Sequence, residues 1–534
     1  MISRRSFLGT CAALGTGCVL NAWGDDQSSN NSSYPRKFHL SVSTEALDAD
    51  PGLLEVVRDA GVADLWLGAF FYGQWPFPIE KIQEWRVRIE QAGMGAHIIN
   101  IPLGHPGDSL QSSADGFPIT PPGRWRPAMR PDGTWYLGTS HHPPATEENQ
   151  KALIEIQKLG VKRVFLDDDF RLAISPGMIG GCFCNEHKKQ FLDSRGYAEN
   201  QWAELLDNVK TRTLTPLLRA WVEFTCDQLT ACFRAQQQAV PDIQLGNMVM
   251  YFGAEKAGIR LTDYANVPLR VGELMFNDDS FNKLKNKTAE LFSCLFHRRF
   301  VSPENAFSET TAFPSKELSA ANMAAKLTIS TIADVRNTMY MSGVQAFPKT
   351  HWETLKPAMK HQAQVHEKLA GHIPRGPFKH YWGEASRYVG TDEPFSLFLA
   401  AGVPFEVTDT VSGDGWTFLS DDDARHLAKQ PLQSPQGRLL VRPSAKSSPK
   451  GSQKIEETPE SLFAFKRKIL PQLSGVPYVE EDKPVVCAWY PTARSVLLWN
   501  LSEDREAFTV RIGEKQRSIT LDGLASDVLD NIPT

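Results

Sequence analysis

The stretch TEENQKALIEIQKLG (146–160) running into VKRVFLDDDF (161–170) decides the fold. Its first half has apolar residues at helical spacing and stops at Gly160; its second half is a short apolar strand closed by three aspartates. Working outward, the same strand-and-helix unit recurs. FHLSVST (38–44) precedes GLLEVVRDAG (52–61), and ADLWLGAFF (63–71) precedes IEKIQEWRVRIEQAG (79–93). GAHIINIPLG (95–104) opens a long loop that ends near Pro144. IQLGNMVMYF (243–252), LRVGELMF (269–276), ENAFSET (304–310) and RNTMYMSGVQ (336–345) supply four more strands. Eight strands separated mostly by helices predict a (β/α)₈ barrel, a TIM barrel, over residues 38–370. An open doubly wound sheet is the competing architecture, and the missing Gly-rich loop after the first strand disfavours it.

Beyond residue 370 the pattern changes. FSLFLAAGVPFEVTD (395–409) and DGWTFLSDDDARHLAK (414–429) predict a small α/β domain over 371–478. PVVCAWYPTARSVLLWNLSE (484–503) and FTVRIGEKQRSITLDGL (508–524) alternate in strand fashion, giving a β-sandwich-like domain over 479–534. At the other end, residues 1–24 carry Ser3-Arg4-Arg5-Ser6-Phe7-Leu8 before a short apolar run, the pattern of a twin-arginine signal peptide. The run is too short to span a bilayer, so the mature chain is expected to be exported, periplasmic or extracellular, and free of the membrane. Residues 25–37 read as a polar, disordered linker.

The chain has 534 residues, 41% hydrophobic and 22% charged, with 57 Lys+Arg against 62 Asp+Glu, a net charge of −5. A globular protein of three or four domains fits that length; a nucleic-acid binder, which needs a basic face, does not fit that charge. Six cysteines outside the signal are too few for a disulfide scaffold.

In a barrel, chemistry sits at the C-terminal ends of the strands. Asp167-Asp168-Asp169 closes the fourth strand there, and adjacent carboxylates repel unless paired, protonated or metal-bound. Arg171 is their nearest cation in sequence. Glu309 ends the seventh strand, across the barrel. Glycoside hydrolysis needs two carboxyl groups flanking one bond, and strands four and seven can supply them. Asp278, after the sixth strand, is a further acid suited to sugar hydroxyls. Trp75, Trp135 and Tyr251, with Tyr72, Trp125 and Tyr136, are aromatic residues on strand-end loops that could stack on sugar faces, whereas Trp66 belongs to the core. His97, His105, His141 and His142 are also placed near this rim. Cys182, Cys184 and His187 give C-x-C-x₂-H, three ligands of a structural zinc with no fourth at convincing spacing.

The segment GCFCNEHKKQF (181–191), the strand-seven Glu309 and LAAGVPFEV (399–407) give the chain a layout that resembles the clan A glycoside hydrolases, most of all the trimeric (family 42) beta-galactosidases. That resemblance implies a retaining hydrolase of O-glycosyl bonds needing no cofactor, with a structural metal on the Cys segment and a homo-oligomer contacting through its middle domain. It implies Glu309 as nucleophile. Where the clan has an Asn-Glu pair this chain has the Asp triplet, which puts the acid/base role on Asp169 or Asp168, with Asp167 and Arg171 beside it. Asp is shorter than Glu, so an inverting mechanism stays open. Two other readings are a non-catalytic carbohydrate-binding barrel and a divalent-metal isomerase or lyase using the Asp triplet with His97 or His105.

Overall fold

The computed structural model describes residues 35–103, 122–135, 141–167, 170–173, 177–432 and 438–532. Residues 1–34, on which the expected signal and most of the expected linker fall, and His105, Tyr136, Asp168 and Asp169 lie outside these residues.

Eight parallel strands close into a barrel: β1 (Lys37–Val42), β2 (Asp64–Phe71), β3 (Gly95–Ile101), β4 (Arg163–Leu166), β5 (Gln244–Met250), β6 (Leu269–Gly272), β7 (Ala306–Thr311) and β8 (Asn337–Met341). Each pairs with its sequence neighbour, and β8 returns to β1 through His39 opposite Met339. The open-sheet alternative is thereby excluded. All eight strands fall where the periodicity placed them, because a strand buried on both faces must be a short apolar run. Local signals also end the helices: Leu53–Ala60 stops at Gly61 with φ 108°, and Ala320–Ile332 starts where the Ser319 side chain accepts from the Asn322 N–H.

Alternate residues point into the barrel. Trp66, Phe165 and Phe307 from β2, β4 and β7 form an aromatic floor, with ring centroids 4.8 Å (Trp66–Phe165) and 5.0 Å (Phe165–Phe307) apart. Room for Phe165 depends on Gly246 of β5, where a Cβ would come within 2.4 Å of the ring. Below the floor, toward the N-terminal ends, Asp64 holds His39 at 3.1 Å and His97 at 3.7 Å. Those two imidazoles keep the Asp64 carboxyl well below its ordinary value against the opposing effect of burial. His97 therefore belongs to the closed end of the barrel and not to its rim. The third strand begins at Gly95, so its third residue faces inward only two steps from the start.

A five-stranded parallel sheet follows: β9 (Phe378–Tyr381), β10 (Phe405–Thr408), β11 (Trp416–Leu419), β12 (Leu439–Val441) and β13 (Gln453–Lys454), in the order β10-β9-β11-β12-β13. The chain then forms β14 (Tyr478–Val479), β15 (Val485–Tyr490), β16 (Ser495–Asn500), β17 (Glu506–Ile512), β18 (Lys515–Leu521) and β19 (Ser526–Leu529), arranged as two antiparallel three-stranded sheets. The parallel sheet is fastened to the barrel by buried ion pairs, Lys256 with Asp392 and Arg387 with Glu255. Among the described residues, no helix is long and apolar enough to cross a membrane.

Candidate active site and metal centre

Above the aromatic floor, Arg270 of β6 projects into the barrel and is fully buried. Its guanidinium carbon lies 5.1 Å from the Phe165 ring centroid. The guanidinium reaches two carboxylates: one nitrogen pairs with Asp167, at the end of β4, and Nε lies 2.5 Å from Glu309 Oε1 on β7. The second contact lacks the alignment of a hydrogen bond and is held by charge. Glu309 Oε2 accepts from the Thr311 hydroxyl at 3.0 Å. Gly272 of β6 leaves the space this needs, since a Cβ there would stand 3.4 Å from Glu309 Oε2 and 2.6 Å from Met248 Cε.

One guanidinium is thus shared between two carboxylates. Burial is the largest influence on Glu309 and pushes its carboxyl up; Arg270 opposes this and Asp167 reinforces it, and the net direction is upward. Burial and the neighbouring Asp167 therefore hold Glu309 toward its protonated form beside a carboxylate that pairs with Arg270, an arrangement suited to general acid catalysis.

The other residues singled out by sequence divide into two groups. Trp75 and Trp135, on the loops after β2 and β3, are exposed at 36% and 47% and can offer their rings to a ligand. Tyr72, Trp125 and Tyr251 are buried instead. Trp125 Nε1 donates to Glu148 at 2.8 Å, and Tyr251 packs edge-on against Phe252 with centroids 4.6 Å apart. A large ring whose flanks can reach the barrel's outer packing is drawn under the loops rather than left on them. Asp278 Oδ1 accepts from the Ser319 N–H (2.8 Å) and Asn322 Nδ2 (2.7 Å), which ties the loop after β6 to the start of the helix after β7. Arg171 is buried and its Nε donates to the Ala173 carbonyl at 3.0 Å. Arg270 had no sequence signal: it sits inside a strand, 103 residues from Asp167.

The Cys segment gains the ligand that spacing did not supply. His142, at the end of the long loop after β3, joins Cys182, Cys184 and His187; all four are buried and their donor atoms lie within 4.8 Å of one another. Cys182 Sγ is 3.5 Å from His142 Nε2, and Cys184 Sγ is 3.3 Å from His187 Nδ1. A tetrahedral zinc with ordinary Zn–S and Zn–N bonds would set such S···N edges at about 3.6 Å. Two thiols and two imidazoles at these separations fit zinc, with no open coordination position.

No protein-family model matches the sequence, and no curated protein matches it. Solved structures do share its fold. The cold-adapted beta-galactosidase from Rahnella sp. R3 aligns over 93% of this chain and 98% of its own, at 10% identity and a TM-score of 0.58. The alpha-L-fucosidase isoenzyme 2 from Paenibacillus thiaminolyticus aligns over 89% of this chain and 92% of its own, at 10% identity and a TM-score of 0.53. The barrel followed by further sheets, expected from the resemblance to barrel glycoside hydrolases, is the observed fold.

Proposed function

We propose that the chain is an exported glycoside hydrolase whose carboxyl pair is Glu309 and an aspartate of the 167–169 triplet. The observation that carries this is the placement of Asp167 and Glu309 on one buried guanidinium, at the end of the barrel where the strands finish. The shared guanidinium keeps the two acids within reach of one glycosidic bond, and the retaining mechanism is taken from the family resemblance. Glu309, the acid that burial holds toward its protonated form, is read as the proton donor to the leaving oxygen. The triplet supplies the ionised partner: Asp167 has the described geometry, and Asp168 and Asp169 follow it in sequence. This reverses the roles implied by the family resemblance, because a nucleophile must be ionised. Trp75 and Trp135 are assigned to stacking on the sugar, and Arg171 and Asp278 to holding the loops after β4 and β6.

His142, Cys182, Cys184 and His187 would hold a structural zinc, which would join the end of the β3 loop to the segment after β4. No catalytic cofactor enters the reading. Export rests on the twin-arginine pattern in residues 1–24, and a homo-oligomer on the layout resemblance. The divalent-metal isomerase reading loses His97, which faces Asp64 at the opposite end of the barrel.

The test compares Glu309→Gln and Asp167→Asn on oligosaccharides and on aryl glycosides with good leaving groups. An acid is dispensable in glycosyl-enzyme formation when the leaving group needs no proton, so Glu309→Gln should lose oligosaccharide hydrolysis by about 10³-fold and retain kcat/KM for aryl glycosides. Turnover is then held back at hydrolysis of the intermediate, where the missing base is needed, and restored by azide. Full oligosaccharide activity in Glu309→Gln would end the assignment. Glycan binding without hydrolysis of any substrate by the unaltered protein would favour the carbohydrate-binding reading instead.

A further inference from the structure

Behind the seam between β6 and β7, outside the barrel wall, three ionisable side chains are buried together: Glu273, Glu290 and Lys326. Side chains alternate along β6, so Arg270 and Gly272 face the axis and Glu273, next in line, turns toward the helices Leu284–Arg298 and Ala320–Ile332. Lys326 pairs with Glu273 Oε1 and also donates to the Met275 carbonyl at 2.8 Å. Glu273 Oε1 accepts from the Thr311 N–H at 2.7 Å, and Glu290 Oε1 from the Leu274 N–H at 2.6 Å. The chain of contacts thus runs from Lys326 through Glu273 to the Thr311 backbone, and from the Thr311 hydroxyl to Glu309 Oε2. Gly272, Glu273, Glu290, Ser308, Lys326 and Glu309 line one narrow cavity.

We infer that Glu273, held by Lys326, is a positioning residue: it fixes Thr311 and, through that hydroxyl and the shared cavity, sets the orientation and protonation of Glu309. The inference rests on Glu309 being the acid of the proposed reaction. Burial raises Glu273 to about 7 and Glu290 to about 8, and the charge of Glu309 contributes to both shifts. The charged and titratable groups around Glu309 are Asp167 and Arg270 from the barrel interior, Glu273 after β6, Glu290 and Cys294 from the helix Leu284–Arg298, and Lys326 from the helix Ala320–Ile332. Arg36 faces Cys294 from the segment before β1.

Glu273→Gln takes away the carboxylate partner of Lys326 and, toward and above about pH 7, an anion beside Glu309, and both changes favour ionised Glu309. Thr311→Val removes a hydrogen bond to the ionised form and acts in the opposite sense. The carboxyl titration of Glu309 is followed by infrared spectroscopy of ¹³C-glutamate protein, its band identified by its absence in Glu309→Gln. In Glu273→Gln that titration, and with it the alkaline limb of kcat/KM, should move to lower pH by about one pH unit. In Thr311→Val both should move upward. Unmoved titration in folded Glu273→Gln overturns the inference; if that variant does not fold, the Thr311→Val band decides, and an unmoved band overturns it. Absence of any hydrolysis by the unaltered protein would end the functional reading and still leave the infrared titration to judge this one.

Discussion

Asp167, just past the end of β4, and Glu309, on β7, come from strands that are not neighbours, yet both are held by the guanidinium of Arg270. The contact places a cation between two acids in a region with little solvent. It makes the three residues one electrostatic unit, in which changing one member alters what the other two can do.

Removing the cation should cost more than removing an acid. Arg270→Met would leave two buried carboxylates facing each other, and breaking a buried pair in this way costs about 3–5 kcal/mol. Glu309→Gln leaves Asp167 and Arg270 as a neutral pair, so its stability should stay within about 1 kcal/mol of the unaltered protein. Urea denaturation at neutral pH measures both, and equal losses in the two variants would contradict the shared-cation arrangement.

The Cys₂His₂ cluster predicts one zinc per chain by elemental analysis. Chelation with 1,10-phenanthroline should lower the thermal midpoint by about 5–10 °C, with recovery on adding Zn²⁺. His142→Ala should lose the metal as Cys182→Ser does, because each supplies one of four ligands. Cobalt substitution should give the visible spectrum of a tetrahedral, thiolate-bound ion. A His142→Ala protein that keeps its full metal content would remove His142 from the site.

Stability should fall on both sides of a maximum in the mildly acidic range. Burial lowers His297 and His380 from 6.5 to about 4. The unfolded chain therefore takes up protons that the folded chain refuses. Their contribution is complete above pH 6.5 and is lost as the pH falls toward 4. Glu273 and Glu290 act in the opposite sense: raised from 4.5 to about 7 and about 8, they stabilise the fold at low pH and lose that contribution as the pH rises through those values. His380 stacks on Phe418 with centroids 4.9 Å apart, so His380→Phe retains much of the packing. It should remove about 3 kcal/mol of the loss between pH 6.5 and 4. Thermal midpoints across pH 4–9 check this; an unchanged acid limb in His380→Phe would refute it.

Trp75→Ala and Trp135→Ala should each raise KM by up to about tenfold with kcat nearly unchanged, as expected for a ring that stacks on the ligand in ground and transition states alike. Trp125→Ala should act on stability instead, since its indole is buried and bonded to Glu148. Steady-state kinetics beside thermal melts separate the two effects.

Much of the fold was legible in the chain because its signals are local. A strand buried on both faces is a short apolar run, a helix carries its stripe at fixed spacing, and Gly160 or Gly61 ends it within a residue or two. Glu309 and Asp167 were legible for the same reason, as acids at the ends of apolar strands. The rim aromatics were only partly so. Trp75, Trp125 and Tyr251 look alike in sequence, and only packing separates an exposed ring from a buried one.

Amino-acid order alone determined the eight-strand repeat, the three-part layout, the Cys-x-Cys segment and the acids at two strand ends. Closure of the barrel decided the rest. It put Arg270 against Asp167, 103 residues away. It brought His142 to Cys182 across 40 residues. It sent His97 to the closed end and Glu273 through the wall behind Glu309. The physical reason is that periodicity fixes which way a side chain points along its own strand, whereas its partner depends on which strands become neighbours and at what register. That information exists only once the sheet has closed.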